Sequence, residues 1–249
     1  MTMKTAALLV LGALMLSACG GETSAEKDVA AGLDKWTAEP DGDGSVVGEF
    51  KKDYPNRWAT LRSQLEVHYA EGAGVEGGGV KAAKTDALNQ INIFMKQHFG
   101  AMAKASDASL SALFDAQHSL INNLWTIGNS EACAHVAGAG AMPGDDMGQY
   151  ASEAFAYKRL RLKLMREAAD HPTTHAAFAW SPAEQAHIDQ VYKHDNIRIP
   201  KEGMNGATYL VQCIGAYDAD VVVKTFPIDR KAAFEADRIT KWATVAPAS

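Results

Sequence analysis

Apolar side chains recur every three or four residues along most of this chain. Trp58, Leu61, Leu65 and Tyr69 fall on one face behind Pro55, a proline suited to a first helical turn, and predict a helix from Pro55 to His68. Leu88, Ile91, Met95, Phe99 and Met102 form a stripe that predicts an amphipathic helix over Val80 to Lys104. Leu110, Leu113, Phe114, Gln117, Ile121 and Leu124 continue the period behind a capping Asp107, up to Trp125, with Gly128 as the stop. A short helix around Cys133 follows. After a loop from Gly138 to Gly144, Asp145 or Asp146 caps a helix running to about Ala169. Ser181-Pro182-Ala183-Glu184 is a capping box with proline at the first helical position, opening a helix to about His194. Asn205 to Tyr217 is apolar nearly all round, as a buried helix would be, and Val221-Val222-Val223 reads either as a short strand or as that helix's tail. Pro227 to Thr244 closes the chain as an amphipathic helix with Phe234, Ile239 and Trp242 as core positions.

No repeat of 20 to 50 residues is visible, and strands do not alternate with helices, so neither a solenoid nor a parallel α/β sheet is indicated. The expected fold class is all-α, a single globular domain of about seven or eight helices. Two segments stand outside it. Gly20 to about Lys27 is small, polar and acidic, which reads as a flexible tether, and Glu39 to Gly48, with its Pro40-Asp-Gly-Asp-Gly-Ser run, reads as a turn-rich loop.

The N-terminus carries a different pattern. Lys4 precedes an apolar run from Ala6 to Leu16, too short to span a bilayer, that stops at Leu16-Ser17-Ala18-Cys19. This resembles the signal peptide and lipobox of bacterial lipoproteins. The resemblance implies removal of residues 1–18, diacylation of Cys19 through its thiol, acylation of the new amine, and a lipidated tether over 19–27 ahead of a domain over 28–249. Gly20 stands where enterobacterial lipoproteins retained in the inner membrane carry Asp. An outer-membrane address, facing the periplasm or the surface, is therefore implied. Three acyl chains, at roughly 0.8 kcal/mol per buried methylene, would make the anchor effectively permanent.

Composition narrows the choices further. The formal net charge of −6 gives no reason to expect nucleic acid as a partner. With Cys19 lipidated, Cys133 and Cys213 remain as an even pair in an oxidising compartment, which predicts a disulfide. The alternative is two buried cysteines that never meet, since Cys213 lies in an apolar run.

Candidate chemistry is sparse. Gly72-Ala-Gly-Val-Glu-Gly77 matches G-x-G-x-x-G, yet Glu71 and Glu76 would crowd a phosphate and no βαβ unit surrounds it, so a plain glycine loop is favoured. Asp41, Asp43 and Ser45 occupy the first ligand positions of a calcium loop, but Val46 and Lys52 stand where glycine and glutamate are required. Glu184, His187 and His194 share a helix face as weak metal candidates, with His171 and His175 upstream; His187 and His194 are two turns apart, about 10 Å, too far for one zinc unless other elements converge. Nucleophile signatures such as G-x-S-x-G, S-x-x-K, H-E-x-x-H and C-x-x-C-H are absent. Ser152-Glu153 resembles, over two residues, the catalytic glutamate of the lytic transglycosylase family; the surface reading, an ordinary first-turn acid, is preferred. Arg159, Lys163 and Arg166 line one side of their helix and form a candidate stripe for lipid headgroups, lipopolysaccharide phosphate or peptidoglycan carboxylates, against the plainer reading of a solvated face.

The expectation is a membrane-anchored envelope lipoprotein with a non-catalytic interaction or structural domain. It needs no cofactor, and its partners are lipid through Cys19 and an envelope protein or anionic polymer. An envelope enzyme acting on peptidoglycan or peptide is the alternative, and a metal or small-ligand binding protein a third.

Overall fold

The computed structural model describes residues 23–70, 78–137, 148–194 and 207–245, and these form ten α-helices with no strand among them. The first, α1, spans Ser24–Thr37 and opens on a capping box: the Thr23 amide donates to Glu26 Oε2 at 2.5 Å and the Glu26 amide donates to Thr23 Oγ1 at 3.2 Å. Residues 24–27, expected in the tether, are therefore the first turn of a helix whose Val29, Leu33 and Trp36 are buried.

The expected loop at Glu39 to Gly48 is also largely helical. α2 spans Gly42–Asp53 with Asp41 as N-cap and buries Val46, Val47 and Phe50. Its glycines are matched to close packing: a Cβ on Gly44 would lie 2.2 Å from the Trp36 carbonyl oxygen, and one on Gly48 would lie 2.5 Å from that of Thr37. The composition that reads as a turn here lets two helix backbones approach.

α3 (Pro55–Tyr69) starts on its proline as expected. α4 (Gly78–Gln97) ends earlier than the stripe suggested, and the chain tightens into a 3-10 turn over Phe99–Lys104. Gly100 in that turn comes within 3.0 Å, measured from an added Cβ, of Ala243 in the last helix. α5 (Asp107–Thr126) is capped by Ser106 rather than Asp107, through a bond from the Ser109 amide at 3.3 Å. It ends at Gly128, which adopts φ +74°, a conformation that favours glycine.

α6 (Ser130–Ala137) carries Cys133, and α7 (Ala151–Asp170) follows a short 3-10 turn over Gly148–Tyr150. A strap without regular structure, 172–181, leads to α8 (Pro182–His194), where Ser181 and Glu184 form both halves of the expected capping box. α9 (Ala207–Val223) includes Val221-Val222-Val223, which are the helix tail rather than a strand. Among the α9 side chains described, Val221 is exposed and several are half-buried, so the helix is less enclosed than its composition suggests. α10 (Ile228–Val245) buries Ile239 and partly buries Phe234 and Trp242.

One apolar core runs through the described helices, from Val29 and Leu33 through Ile91, Leu110 and Leu124 to Leu162 and Ile239. α10 packs most extensively on α5, α2 on α7, and α6 on α9. Cys133 and Cys213 lie at disulfide-bonding distance, with Cα atoms 5.4 Å apart and both side chains fully buried, so the bond joins α6 to α9 inside the core. No described helix is long and apolar enough to cross a membrane.

Candidate functional site

The densest polar chemistry among the described residues is buried between α5, α9 and α10. Gln117 occupies an apolar register position of α5 and is fully buried. Asp220 stands seven residues after Cys213, two helical turns along the same face of α9. Glu235 and Arg238 are three residues apart on the α10 face that also buries Ala232, Ala236 and Ile239. These side chains converge on one guanidinium. Arg238 Nη1 donates to Asp220 Oδ1 at 3.1 Å, Nη2 donates to Gln117 Oε1 at 2.5 Å, and the same group pairs with the Glu235 carboxylate. Its carbon lies 5.2–5.6 Å from the ring centroids of Trp242, Phe234 and Phe114. Gln117 Nε2 passes the network on to the Val136 carbonyl of α6 at 2.6 Å. The polar cluster ties α5, α6, α9 and α10 together, and the disulfide links two of them, α6 and α9.

Two carboxylates on one guanidinium leave an excess of negative charge in a dry interior. Burial raises the Asp220 carboxyl to about 7, against the pull of Arg238. Burial also raises Glu235, again opposed by Arg238. Burial works against Arg238 as well, but Glu235 and Asp220 together hold its guanidinium above its ordinary value. Asp220 Oδ2 has no hydrogen-bond partner among the described residues, and His118 Nδ1 faces it at 3.9 Å. Burial first, and then Lys224, push His118 down, so the ring stays neutral and does not balance the charge. Tyr157 is raised to about 12 by burial. Protonating one carboxyl neutralises the cluster at the least expense. Asp220, Glu235 and Arg238 are each less than 10% exposed, and with Gln117 they tie α5, α9 and α10 together.

The expected site residues are placed elsewhere. Arg159, Lys163 and Arg166 do line one side of α7, but that side packs along α2. Arg159 donates to Ser45 Oγ, Lys163 lies 3.7 Å from Glu49, and Arg166 pairs with Asp170 at 2.8 Å. Each of the three thus has a partner within the fold, while Lys163 and Arg166 stay about half exposed.

Glu184 is likewise committed, accepting from Arg230 at 2.6 Å and from the Ser181 amide at 2.7 Å. Those bonds, led by the backbone one, lower its carboxyl. His187 is exposed, and the His194 side chain lies outside the described residues. No group of three or more metal-ligating side chains forms among the described residues, so this face assembles no ligand set there. His175 instead pins the strap, with Nδ1 2.9 Å from Asp107 Oδ1 and Nε2 2.8 Å from the Ala105 carbonyl, while His171 is exposed. Asp41 is spent as the α2 cap, and Ser45 donates to the Gly42 carbonyl, so the calcium-loop geometry does not arise. Glu153 stands on the surface and accepts from Asn123 at 2.8 Å, unlike a buried catalytic acid. Cys19, Gly20, the Gly72–Gly77 loop and Asp145–Asp146 lie outside the described residues.

Compared with protein-family models, curated proteins and solved structures, the chain has no match.

Shallow grooves on the described surface include three formed by the strap and the helices. One, of about 560 Å³, runs between the strap at 173–179 and the start of α10. A second of about 560 Å³ lies between α3 and α4, beside Leu61 and Val67, and a third of about 480 Å³ lies beside Tyr69 and Lys81. None of the three is lined by the Arg238 cluster. Gln117 is visible in the sequence as a polar residue on an apolar stripe; Asp220, Glu235 and Arg238 are not. Their signal is weak: an acid within an apolar helix, and an acid–base pair three residues apart in a core register.

Proposed function

We propose that this chain is a lipid-anchored lipoprotein of the bacterial envelope, whose helical domain serves a structural or interaction role and not catalysis. The observation that carries the reading is the buried Cys133–Cys213 pair at bonding distance, which belongs in an oxidising compartment and accords with an exported chain. The lipobox supplies the anchor and an outer-membrane address. Thr23 caps α1 only four residues after Cys19, so the anchor holds a folded domain against the lipid surface and leaves little room for a free arm. The strongly shifted acids brace the core, and the one acid that suggested an enzyme, Glu153, is an exposed helix residue.

Metabolic labelling with a fatty acid, combined with fractionation of wild type and Cys19→Ala, tests this. Wild type should carry label and sediment with membranes; Cys19→Ala should lose both properties. Unlabelled wild type in the cytoplasm would end the proposal.

A further inference from the structure

The outer surface of α3 and α4 differs in kind from the rest of this acidic chain. Of the exposed side chains on these two helices, the charged ones are Arg57, Lys81 and Lys96, and all three are cations. The carboxylates are drawn inward: Glu66 is half-buried and accepts from Arg62 at 2.5 Å, and Asp86 is half-buried and accepts from Tyr69 Oη at 3.3 Å. Between the cations the surface is mostly uncharged and partly apolar, with Asp86 as the one carboxylate lining its grooves among the described residues. Val67, which lines the open groove between the two helices, is 62% exposed, and Ile93 on α4 is 48% exposed.

A chain with a formal net charge of −6 thus concentrates cations, exposed aliphatic side chains and no exposed carboxylate on one helical pair. This composition suits an interfacial surface, where aliphatic groups enter the headgroup boundary and long cationic side chains extend to phosphates. The position of the anchor favours the same occupant. α1 packs against α2, α3 and α4, and three residues separate its cap from Cys19. The four Cα-to-Cα steps from Cys19 to Thr23 reach at most about 14 Å, so a lipidated Cys19 keeps the bilayer surface beside this helical group.

We infer that the exposed α3–α4 face is the surface on which the domain lies against a bilayer with anionic headgroups, with Val67 and Ile93 at the headgroup boundary and Arg57, Lys81 and Lys96 on lipid phosphates. This rests on the anchoring proposed above. The short linker confines the domain, and the cationic face sets which side it turns to the lipid. Ile228, at the start of α10 on a helix that packs on α5, is the comparison position; it is 59% exposed, so its apolar exposure alone does not distinguish it from Val67.

The test uses lipidated full-length protein reconstituted in vesicles of phosphatidylethanolamine and phosphatidylglycerol, with one environment-sensitive fluorophore at Val67→Cys, Ile93→Cys or Ile228→Cys. The native cysteines are bonded and buried, which leaves the introduced thiol to react. Brominated lipids should quench the probes at 67 and 93 and leave that at 228 unquenched. Replacing Arg57, Lys81 and Lys96 together by Gln should lower the docked-to-undocked ratio roughly fivefold per cation, on the order of a hundredfold in all. Vesicles lacking phosphatidylglycerol should have a similar effect.

Equal quenching at all three positions, with the acyl chains shown by mass to be present, would overturn the docking face and leave the anchor intact. So would protection at 67 and 93 that follows protein concentration and ignores brominated lipid, since that describes a second copy on this face. Absence of acyl chains on Cys19 would overturn both inferences.

Discussion

Replacing Asp220 by Asn should make this domain more stable at alkaline pH and nearly indifferent at acidic pH. The carboxyl moves from its ordinary 3.8 to about 7 in the fold because it is buried beside Glu235 with only Arg238 to share. Below about pH 4 it is protonated in the folded and the unfolded chain alike, and the full stabilisation is present. Between pH 4 and 7 the unfolded chain releases the proton and the folded one keeps it, so stability falls by about 1.4 kcal/mol per pH unit. Above pH 7 both states are ionised and the loss is complete, on the order of 4 kcal/mol. Between pH 5 and pH 8 the linked change is about 2 to 3 kcal/mol. Asn keeps the acceptor for Arg238 Nη1 and carries no charge, so it leaves Arg238 balanced by Glu235 alone. Urea unfolding followed by circular dichroism at both pH values, with the disulfide intact, measures the difference directly. Asp220→Asn should match wild type within about 1 kcal/mol at pH 5, and its advantage should grow by about 2 to 3 kcal/mol at pH 8. A variant whose stability runs parallel to wild type across that range, or falls below it at pH 8, would show that Arg238 keeps Asp220 ionised and that the charge count is wrong.

Arg238→Met should cost about 3 to 5 kcal/mol at pH 8, since it leaves two buried carboxylates without a counter-charge; a loss below 1 kcal/mol in urea unfolding would contradict the clamp. The Cys133→Ser, Cys213→Ser double variant opens a loop spanning 80 residues in sequence. Chain entropy sets its loss at about 4 to 5 kcal/mol, read as a lower thermal midpoint that reductant does not lower further. Gly44→Ala should destabilise by about 1 to 3 kcal/mol or more, because its Cβ would meet the Trp36 carbonyl at 2.2 Å. An unchanged midpoint would mean that α1 and α2 separate freely. Thr23→Ala removes half of the first capping box and should cost about 1 kcal/mol, accompanied by faster amide exchange in the first turn of α1.

Periodicity revealed those elements whose stability is local in origin. α3, α5 and α10 could be read because their apolar stripes repeat at helical spacing, and α8 because its capping box satisfies its own backbone amides. α2 could not. Each interior glycine disfavours a helix by about 1 kcal/mol relative to Ala, and tertiary packing on α1 overrides that preference. Nothing in Gly42-Asp-Gly-Ser announces a neighbouring carbonyl 2.2 Å from where a Cβ would stand.

α1 is the contrary case. Its Thr23–Glu26 box was present in the sequence, and the small acidic composition around it suggested a tether. The Arg159 stripe shows a further limit: helical spacing puts three cations on one side, but the partners of Arg159 and Lys163 are Ser45 and Glu49, more than a hundred residues earlier. The Arg238 cluster needs three helices to converge, so only Gln117, polar in an apolar register, pointed to it in advance.

Lipidation of Cys19 is tested directly by the intact mass of the mature chain purified from envelopes, with sequencing of its N-terminal peptide. A chain that begins at Cys19, with diacylglyceryl on the thiol, a fatty acyl group on the amine and Cys133 bonded to Cys213, is the expected result. A mature chain with an unmodified Cys19, or one that still carries residues 1–18, would contradict the anchored reading and the docking face that depends on it.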